Sequence, residues 1–259
     1  MKLHFYKYHG TGNDFILIDN RDSQMENLKA KQIKYLCDRN FGIGADGLML
    51  LNKHEKFDFE MAYYNSDGME GSMCGNGGRC IVAFAKRMGV IKDMTQFIAS
   101  DGSHEAFINE SGEVRLKMID VEKIEQKQDH YFIDTGSPHH IVFDDKIAEL
   151  NVFEQGKTIR YSQEYNKEGT NVNFVQVKDE GIEIRTYERG VENETLACGT
   201  GAVASAISYY NKYKPTSQNV DVKVLGGKLQ VSFEESKNKY SNIFLTGPAK
   251  FVYEGQIEI

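Results

Sequence analysis

The stretch "NSDGMEGSMCGNGGRC", residues 65–80, sets one thiol, Cys74, between an acid-rich turn and the glycine-dense tetrapeptide "GNGG". Such a setting leaves a side chain exposed and backbone N–H groups unscreened, which is unlike the surroundings of a packed structural cysteine. Two readings are open. Glycine permits a tight turn into a helix and the cysteine is incidental, or the chain aims a thiol and the free donors of a helix N-terminus at a ligand.

The stretch has a counterpart. Laying "NETLACGTGAVAS", residues 193–205, over it brings Cys198 onto Cys74 at an offset of 124 residues. The same offset puts Thr11 and Gly12 of "HGTGNDF" on Thr135 and Gly136 of "DTGSPHH". It also puts Tyr63 on Tyr187, Glu70 on Glu194, Gly75 on Gly199 and Gly102 on Gly226. The chain reads as a duplicated domain.

Each half carries its elements in the same order. The segments "FDFEMAYY" and "GEVRLKM" in the first half, and "GIEIRTY", "VDVKV" and "KLQVSF" in the second, alternate with the period of two expected of half-buried strands. A helical segment around "NLKAKQIKYLCDR" precedes the first cysteine motif, and "EQGKTIRYSQEY" takes the matching place in the second half. A further helix follows each cysteine, "GGRCIVAFAKRMG" and "GAVASAISYYNKY", the latter stopped by Pro215. The apolar stripes of these two helices do not superpose at the common offset, as expected only if each is buried on all sides. The expected division is residues 1–119 and 120–250, with 251–259 returning to the first domain. No low-complexity linker separates them, so two domains in firm contact are expected.

The 259 residues, 40% hydrophobic, suffice for one large core or two ordinary domains. The net charge of −7 and the lack of any basic run argue against a nucleic-acid or anionic-membrane partner. Apolar runs such as "CIVAFA" fall far short of the roughly 18 residues that span a bilayer, and "MKLHFYKYHG" lacks a signal-peptide block. A soluble, cytoplasmic protein is expected. The cysteines at 37, 74, 80 and 198 are too few and too irregular for a disulfide scaffold or a paired-ligand zinc site, so they read as thiols.

Two equivalent loops from a pseudo-twofold pair of domains would face one ligand from opposite sides. One thiolate would then remove a proton from a carbon while the opposing thiol delivers its own, and inversion follows from the geometry. A helix N-terminus lowers a thiol pKa from roughly 8.5, and its N–H groups hold a carboxylate and the charge that spreads onto it. Such a site works on an amino acid with no metal and no pyridoxal phosphate, and neither has a signature here. Asn65 and Arg189 each stand nine residues before their cysteines, Glu188 adjoins Arg189, and His139 follows the Thr-Gly pair of the second half.

With these motifs in hand, the sequence resembles the diaminopimelate epimerase family. The resemblance runs through "HGTGNDF", "FGIGADGL", "YYNSDGMEGSMCGNGGRC", "DTGSPHH", "GTNVNFVQV", "YERGVENETLACGTGA" and "LTGPA", in order and over nearly the whole chain. It implies an α/β fold of two pseudo-symmetric domains, each a curved, mostly antiparallel sheet around a central helix. It also implies cofactor-independent interconversion of LL- and meso-2,6-diaminopimelate, a small-molecule substrate on the way to lysine and peptidoglycan. Carried over by motif, Cys74 and Cys198 are the acid and base pair, and His139 and Glu188 tune them. Gly75 and Asn76, with Gly199 and Thr200, hold the reacting carboxylate. Asn13, Asn65, Asn171, Glu188 and Arg189 bind substrate, Arg189 through the distal carboxylate. A homodimer is left open.

The chain departs from the family pattern at Gly47 in "GADGL", where many members carry glutamine, and at Ser137 in "TGSPH", where many carry asparagine. Three other readings compete. A racemase or epimerase of related fold acting on proline or hydroxyproline shares the two-thiol chemistry, but a substrate with one charged end leaves Glu188 and Arg189 unused. The G-x-G-x-x-A match at residues 199–204 suggests a nucleotide-binding module, but the preceding "ERGVENETLAC" is polar rather than a buried strand. A thiol peptidase uses one cysteine and leaves its repeat partner idle. Cys37 and Cys80 have no counterparts at the offset and are assigned to packing.

Overall fold

The computed structural model describes residues 2–25, 28–71 and 73–259. The chain divides into two compact units, Met1–Leu116 with Gly247–Ile259, and Lys117–Thr246. The first contains β1 (Lys2–Gly10), β2 (Asn13–Asp19), α1 (Ala30–Cys37), β3 (Gly47–Asn52), β4 (Phe59–Asn65), α2 (Gly75–Arg87), β5 (Met94–Ala99), β6 (Gly102–Ile108) and β7 (Glu113–Lys117). The second contains β8 (Glu125–Gln126), β9 (Tyr131–Asp134), β10 (Pro138–Phe143), α3 (Val152–Arg160), β11 (Asn171–Lys178), β12 (Gly181–Glu188), β13 (Asn193–Thr195), α4 (Gly199–Tyr213), β14 (Asn219–Val224), β15 (Gly227–Ser236) and β16 (Lys239–Pro248). The last strand, β17 (Lys250–Glu258), returns to pair antiparallel with β1.

Pairing repeats along with the order. In the first unit β2–β3 and β4–β5 are parallel, while β1–β2, β3–β4 and β5–β6 are antiparallel. In the second, β10–β11 and β12–β14 are parallel, while β9–β10, β11–β12 and β14–β15 are antiparallel. Even the register agrees at the parallel pair: Phe15 stands opposite Gly47, and His139 opposite Asn171, each 124 residues on.

In each unit the strands carry a helix on both faces. The run "GLMLL" of β3 is buried throughout because its alternate side chains serve two layers. Leu48 and Leu50 join Ile33, Leu36 and Cys37 of α1 in one cluster, while the Met49 side chain reaches Gly77 of α2. Each such aliphatic side chain, fully buried, contributes roughly 2 kcal/mol. The inner helix α2 packs against β1, β2, β3 and β6, and α4 packs against β9–β12, β14 and β15. All residues from Gly75 to Val82 are buried, which spans more than two turns and therefore every side of the helix. Residues Gly201–Ser208 of α4 are buried in the same way. A helix without a solvent face needs no apolar stripe, which is why the two stripes fail to superpose.

Two expectations are corrected in detail. The helix expected over "EQGKTIRYSQEY" starts earlier, because the Asn151 side chain caps it by accepting from Glu154 N–H, and it ends at Arg160. The remaining residues turn away, and the Tyr165 hydroxyl is buried against His140 Nδ1 at 2.9 Å. Cys74 is half-buried rather than exposed. The first residue of the expected segment "NLKAKQIKYLCDR", Asn27, lies outside the described residues. Helix α4 ends as expected before Pro215, with Lys214 in a left-handed conformation (φ 48°) donating its N–H to Tyr210 O. Among the described residues no helix is long and apolar enough to cross a membrane.

Candidate functional site

Both motif cysteines are helix N-caps. Cys74 (φ −108°, ψ 152°) is extended immediately before α2, and its Sγ accepts from Gly77 N–H at 3.2 Å. Cys198 (φ −122°, ψ 113°) holds the same place before α4, and its Sγ lies 3.5 Å from Thr200 Oγ1. The glycines of the two motifs make room for this. A Cβ at Gly77 would stand 2.8 Å from Met49 Cε and 3.1 Å from Cys74 Sγ. A Cβ at Gly201 would strike Asn173 Oδ1 and stand 3.3 Å from Cys198 Sγ.

In the first unit the start of β2 meets the first turn of α2. Asn76 Nδ2 donates to Asn13 Oδ1 at 3.2 Å, and Asn13 Nδ2 donates to Asp46 Oδ2 at 2.7 Å. Arg79, one turn into α2, donates from Nη2 to Asn76 Oδ1 (3.0 Å) and Thr11 Oγ1 (3.2 Å) and from Nη1 to Gly75 O (3.0 Å). Below this lies an ion cluster in which Asp14 pairs with buried Lys7 (2.6 Å) and with Arg39 (2.7 Å), and Arg39 also reaches Asp46 (2.7 Å). Burial works to raise the Asp14 pKa, but the hydrogen bonds from Arg39 and Lys7 overcome it and hold the carboxyl at about 2. Asn65 ends β4, exposed, and its side chain takes no part in this network among the described residues.

In the second unit the starts of β10 and β11 and the end of β12 supply the polar groups. Asn173 Nδ2 lies 2.9 Å from His139 Nδ1, while Asn173 Oδ1 accepts from Thr186 Oγ1 at 3.0 Å. His140 O, 3.4 Å from Asn173 Nδ2, can only accept, so it fixes the amide with its nitrogen toward the ring; Nδ1 therefore accepts and Nε2 carries the proton. His139 is fully buried, and Nε2 has no hydrogen-bond partner among the described residues. Burial, with the nearby Arg189 charge, pushes its pKa down to about 3, so the ring is neutral. Asn171 binds the other residues together: Nδ2 donates to Ser137 Oγ at 2.8 Å, and Oδ1 accepts from Arg189 N–H at 2.9 Å. The Arg189 guanidinium is aimed by Glu168 O (2.8 Å) and Ser137 Oγ (3.4 Å). Glu188 Oε2 accepts from Thr195 Oγ1 at 2.8 Å, and Thr135 Oγ1 donates to Thr200 O at 3.0 Å beside Gly199.

The two departures acquire physical reasons. A Cβ at Gly47 would stand 2.6 Å from the Tyr63 ring and 2.7 Å from Tyr64 O, so the tyrosine fills the space a longer residue would need. Ser137, although short, serves as the shared acceptor for Asn171 and Arg189. Cys37 and Cys80 are core residues, and burial raises both thiol pKa values, that of Cys37 to about 12.

Sequence reasoning missed Arg79, Asp46 and Asn173. A signal was present: the offset places buried Arg79 on Val203 and Asn173 on Met49, polar against apolar within otherwise matching frames. Among the described residues no cluster of His, Cys, Asp and Glu is arranged to hold a metal ion.

The family described as diaminopimelate epimerase matches residues 5–124 and 131–252. The diaminopimelate epimerase of Flavobacterium psychrophilum is 52% identical, over 99% of this chain and 100% of its own length. That of Chlorobaculum tepidum is 44% identical, over 96% and 99%. Among solved structures, a phenazine biosynthesis protein of the PhzF family from Bacillus anthracis superposes with a TM-score of 0.78 at 13% identity, covering 100% of both chains. A hydroxyproline epimerase from Agrobacterium vitis superposes with a TM-score of 0.70 at 13% identity, covering 99% of this chain and 92% of its own. These two likenesses show a shared fold.

Proposed function

The chain belongs to the diaminopimelate epimerase family, and from that premise we propose that it interconverts LL- and meso-2,6-diaminopimelate by moving a proton between two thiols. The observation that carries this reading is the placement of Cys74 and Cys198 as the N-caps of repeat-equivalent helices. Each thiol sits where the helix dipole favours its thiolate. The N–H groups of Gly75 and Asn76, and of Gly199 and Thr200, are the first of each helix and suit a carboxylate whose charge grows as the α-carbon is deprotonated.

In this reading one thiolate takes the α-proton from one face and the other thiol delivers a proton to the opposite face, so neither pyridoxal phosphate nor metal takes part. Neutral His139, whose Nε2–H is unpaired among the described residues, keeps a donor available to the substrate, and Glu188, held by Thr195, is the acidic partner. Arg189, aimed by Glu168 and Ser137, receives the distal carboxylate. Asn13, Asn65, Asn76 and Asn171 complete the contacts. The chemistry needs reduced thiols, which suits a cytoplasmic enzyme of lysine and peptidoglycan precursor synthesis.

A proline-type substrate would use the same thiols but has no second carboxylate for Arg189. Incubation of the purified chain with LL-diaminopimelate, without added cofactor, followed by chiral chromatography, tests the proposal. Appearance of the meso isomer is the expected result, and its absence from folded protein defeats the assignment.

A further inference from the structure

Four side chains of the first unit form a hydrogen-bonded chain with one direction. Arg79 Nη2 donates to Asn76 Oδ1, Asn76 Nδ2 to Asn13 Oδ1, and Asn13 Nδ2 to Asp46 Oδ2, at 3.0, 3.2 and 2.7 Å. An asparagine amide turned end for end keeps its shape and exchanges donor for acceptor. Two linked asparagines alone would therefore have no preferred sense. Here the ends impose one, because a guanidinium can only donate and a carboxylate can only accept.

Arg79 is a costly way to achieve packing. Its exposure is 0%, Nε has no hydrogen-bond partner, and no carboxylate lies within ion-pairing distance among the described residues. Burial lowers its pKa to about 10, which still leaves it charged near neutral pH. A buried charge without a counter-ion is strongly disfavoured, and an apolar residue of similar volume commonly serves stability as well or better. The second unit makes that choice at the equivalent position, where Val203 is equally buried. There Thr200 takes the place of Asn76, so no amide needs its direction set.

We infer that Arg79 and Asp46 are positioning residues that set, from opposite ends, the direction in which the Asn76 and Asn13 amides are presented to substrate. The unmatched Arg79 charge also reinforces the N-terminus of α2 toward a carboxylate. This rests on the reading, made above, that Asn13 and Asn76 contact the substrate.

The test is the KM and kcat for LL-diaminopimelate of Asn76→Ala, Asn13→Ala, Arg79→Met, Arg79→Lys and Asp46→Asn, with the doubles Arg79→Met/Asn76→Ala and Asp46→Asn/Asn13→Ala. Each asparagine variant raises KM about tenfold; Arg79→Met and Asp46→Asn each raise it less, because the opposite end still imposes a direction, and the two changes combined raise it by about as much. Arg79→Lys keeps a donor and part of the affinity. Each double with an asparagine change is no worse in KM than its asparagine single, because a lost amide has no direction to set. A purely structural role would lower the melting temperature and the active fraction while leaving KM unchanged. Asp46 is 46% exposed, so Asp46→Asn decides the matter if Arg79→Met fails to fold. Parental KM in Arg79→Met or Asp46→Asn, beside raised KM in the asparagine variants, overturns the inference, as does a multiplicative double with either asparagine change. Parental KM in both asparagine variants overturns instead the underlying assignment of Asn13 and Asn76 to substrate.

Discussion

Met49 and Asn173 are repeat partners: the Met49 methyl packs at Gly77 as the Asn173 carbonyl packs at Gly201. The frame is duplicated, but the groups set into it are not. Cys74 starts a helix that carries buried Arg79 and rests on methionine, whereas Cys198 starts one that carries Val203 and rests on an amide holding His139.

That contrast gives unequal costs for one methyl group. In Gly77→Ala the new Cβ meets the flexible end of Met49, which has other rotamers open to it. In Gly201→Ala it meets an amide already held by Thr186 and His139. Overpacking costs of about 1–3 kcal/mol fall at the lower end for the first and the upper end for the second. Gly201→Ala also displaces Asn173, so its kcat falls beyond what its loss of stability explains. Urea titrations and kinetics of both variants check this, and equal penalties would count against it.

The four cysteines should divide cleanly. Cys74→Ala and Cys198→Ala should each abolish turnover in folded protein, because in the proposed reaction each thiol supplies half of the proton exchange. Cys37→Ala and Cys80→Ala keep the activity and lose only packing energy, since both lie in the core with burial-raised pKa values. Alkylation at pH 8 with peptide mapping should find Cys74, the half-buried one, modified well ahead of Cys37 and Cys80.

Arg189 gives a test of recognition. Its guanidinium already uses Glu168 O and Ser137 Oγ for aim, and a lysine keeps the charge but loses the planar fork. Arg189→Lys should raise KM for diaminopimelate by about tenfold or more. Unchanged kinetics would place the distal carboxylate elsewhere.

Stability should decline on mild acidification. Burial, aided by Arg189, lowers His139 to about 3, and burial, aided by His130, lowers His140 to about 4. The unfolded chain takes up these protons near pH 6.5 and the folded one does not. The stabilisation by the neutral rings is therefore complete above about pH 6.5 and is lost as pH falls toward the folded values. Urea midpoints should drop between about pH 7 and pH 5, above the range where ordinary carboxylates titrate. His140→Gln should flatten that slope, and a midpoint constant over the window in the parent protein would contradict the argument.

Much of the frame was legible in the sequence for simple reasons. Strands such as β12 and β14 bury alternate residues, so their period of two is visible, and the glycine-flanked cysteines mark both inner helices. The end of α3 was not legible, because whether Ser162–Tyr165 continues the helix is decided by Tyr165 reaching His140, a distant contact. Arg79 was missed for a deeper reason: an arginine in a helix ordinarily faces solvent, and only a helix enclosed on every side forces it inward. Asn173 sits in a buried strand whose apolar neighbours conceal it. In both cases the informative sign was a mismatch within the repeat.

The central claim, that two separate thiols work on opposite faces of one carbon, is tested most directly by early turnover in heavy water. On that claim the proton that one cysteine removes is not the proton that the other delivers. After a few per cent conversion, mass spectrometry should find the product isomer carrying deuterium at the α-carbon, while recovered substrate stays largely unlabelled because the first thiol can return its own proton. Product that has kept the original hydrogen would mean that a single base crosses between faces, and would contradict the roles given to Cys74 and Cys198.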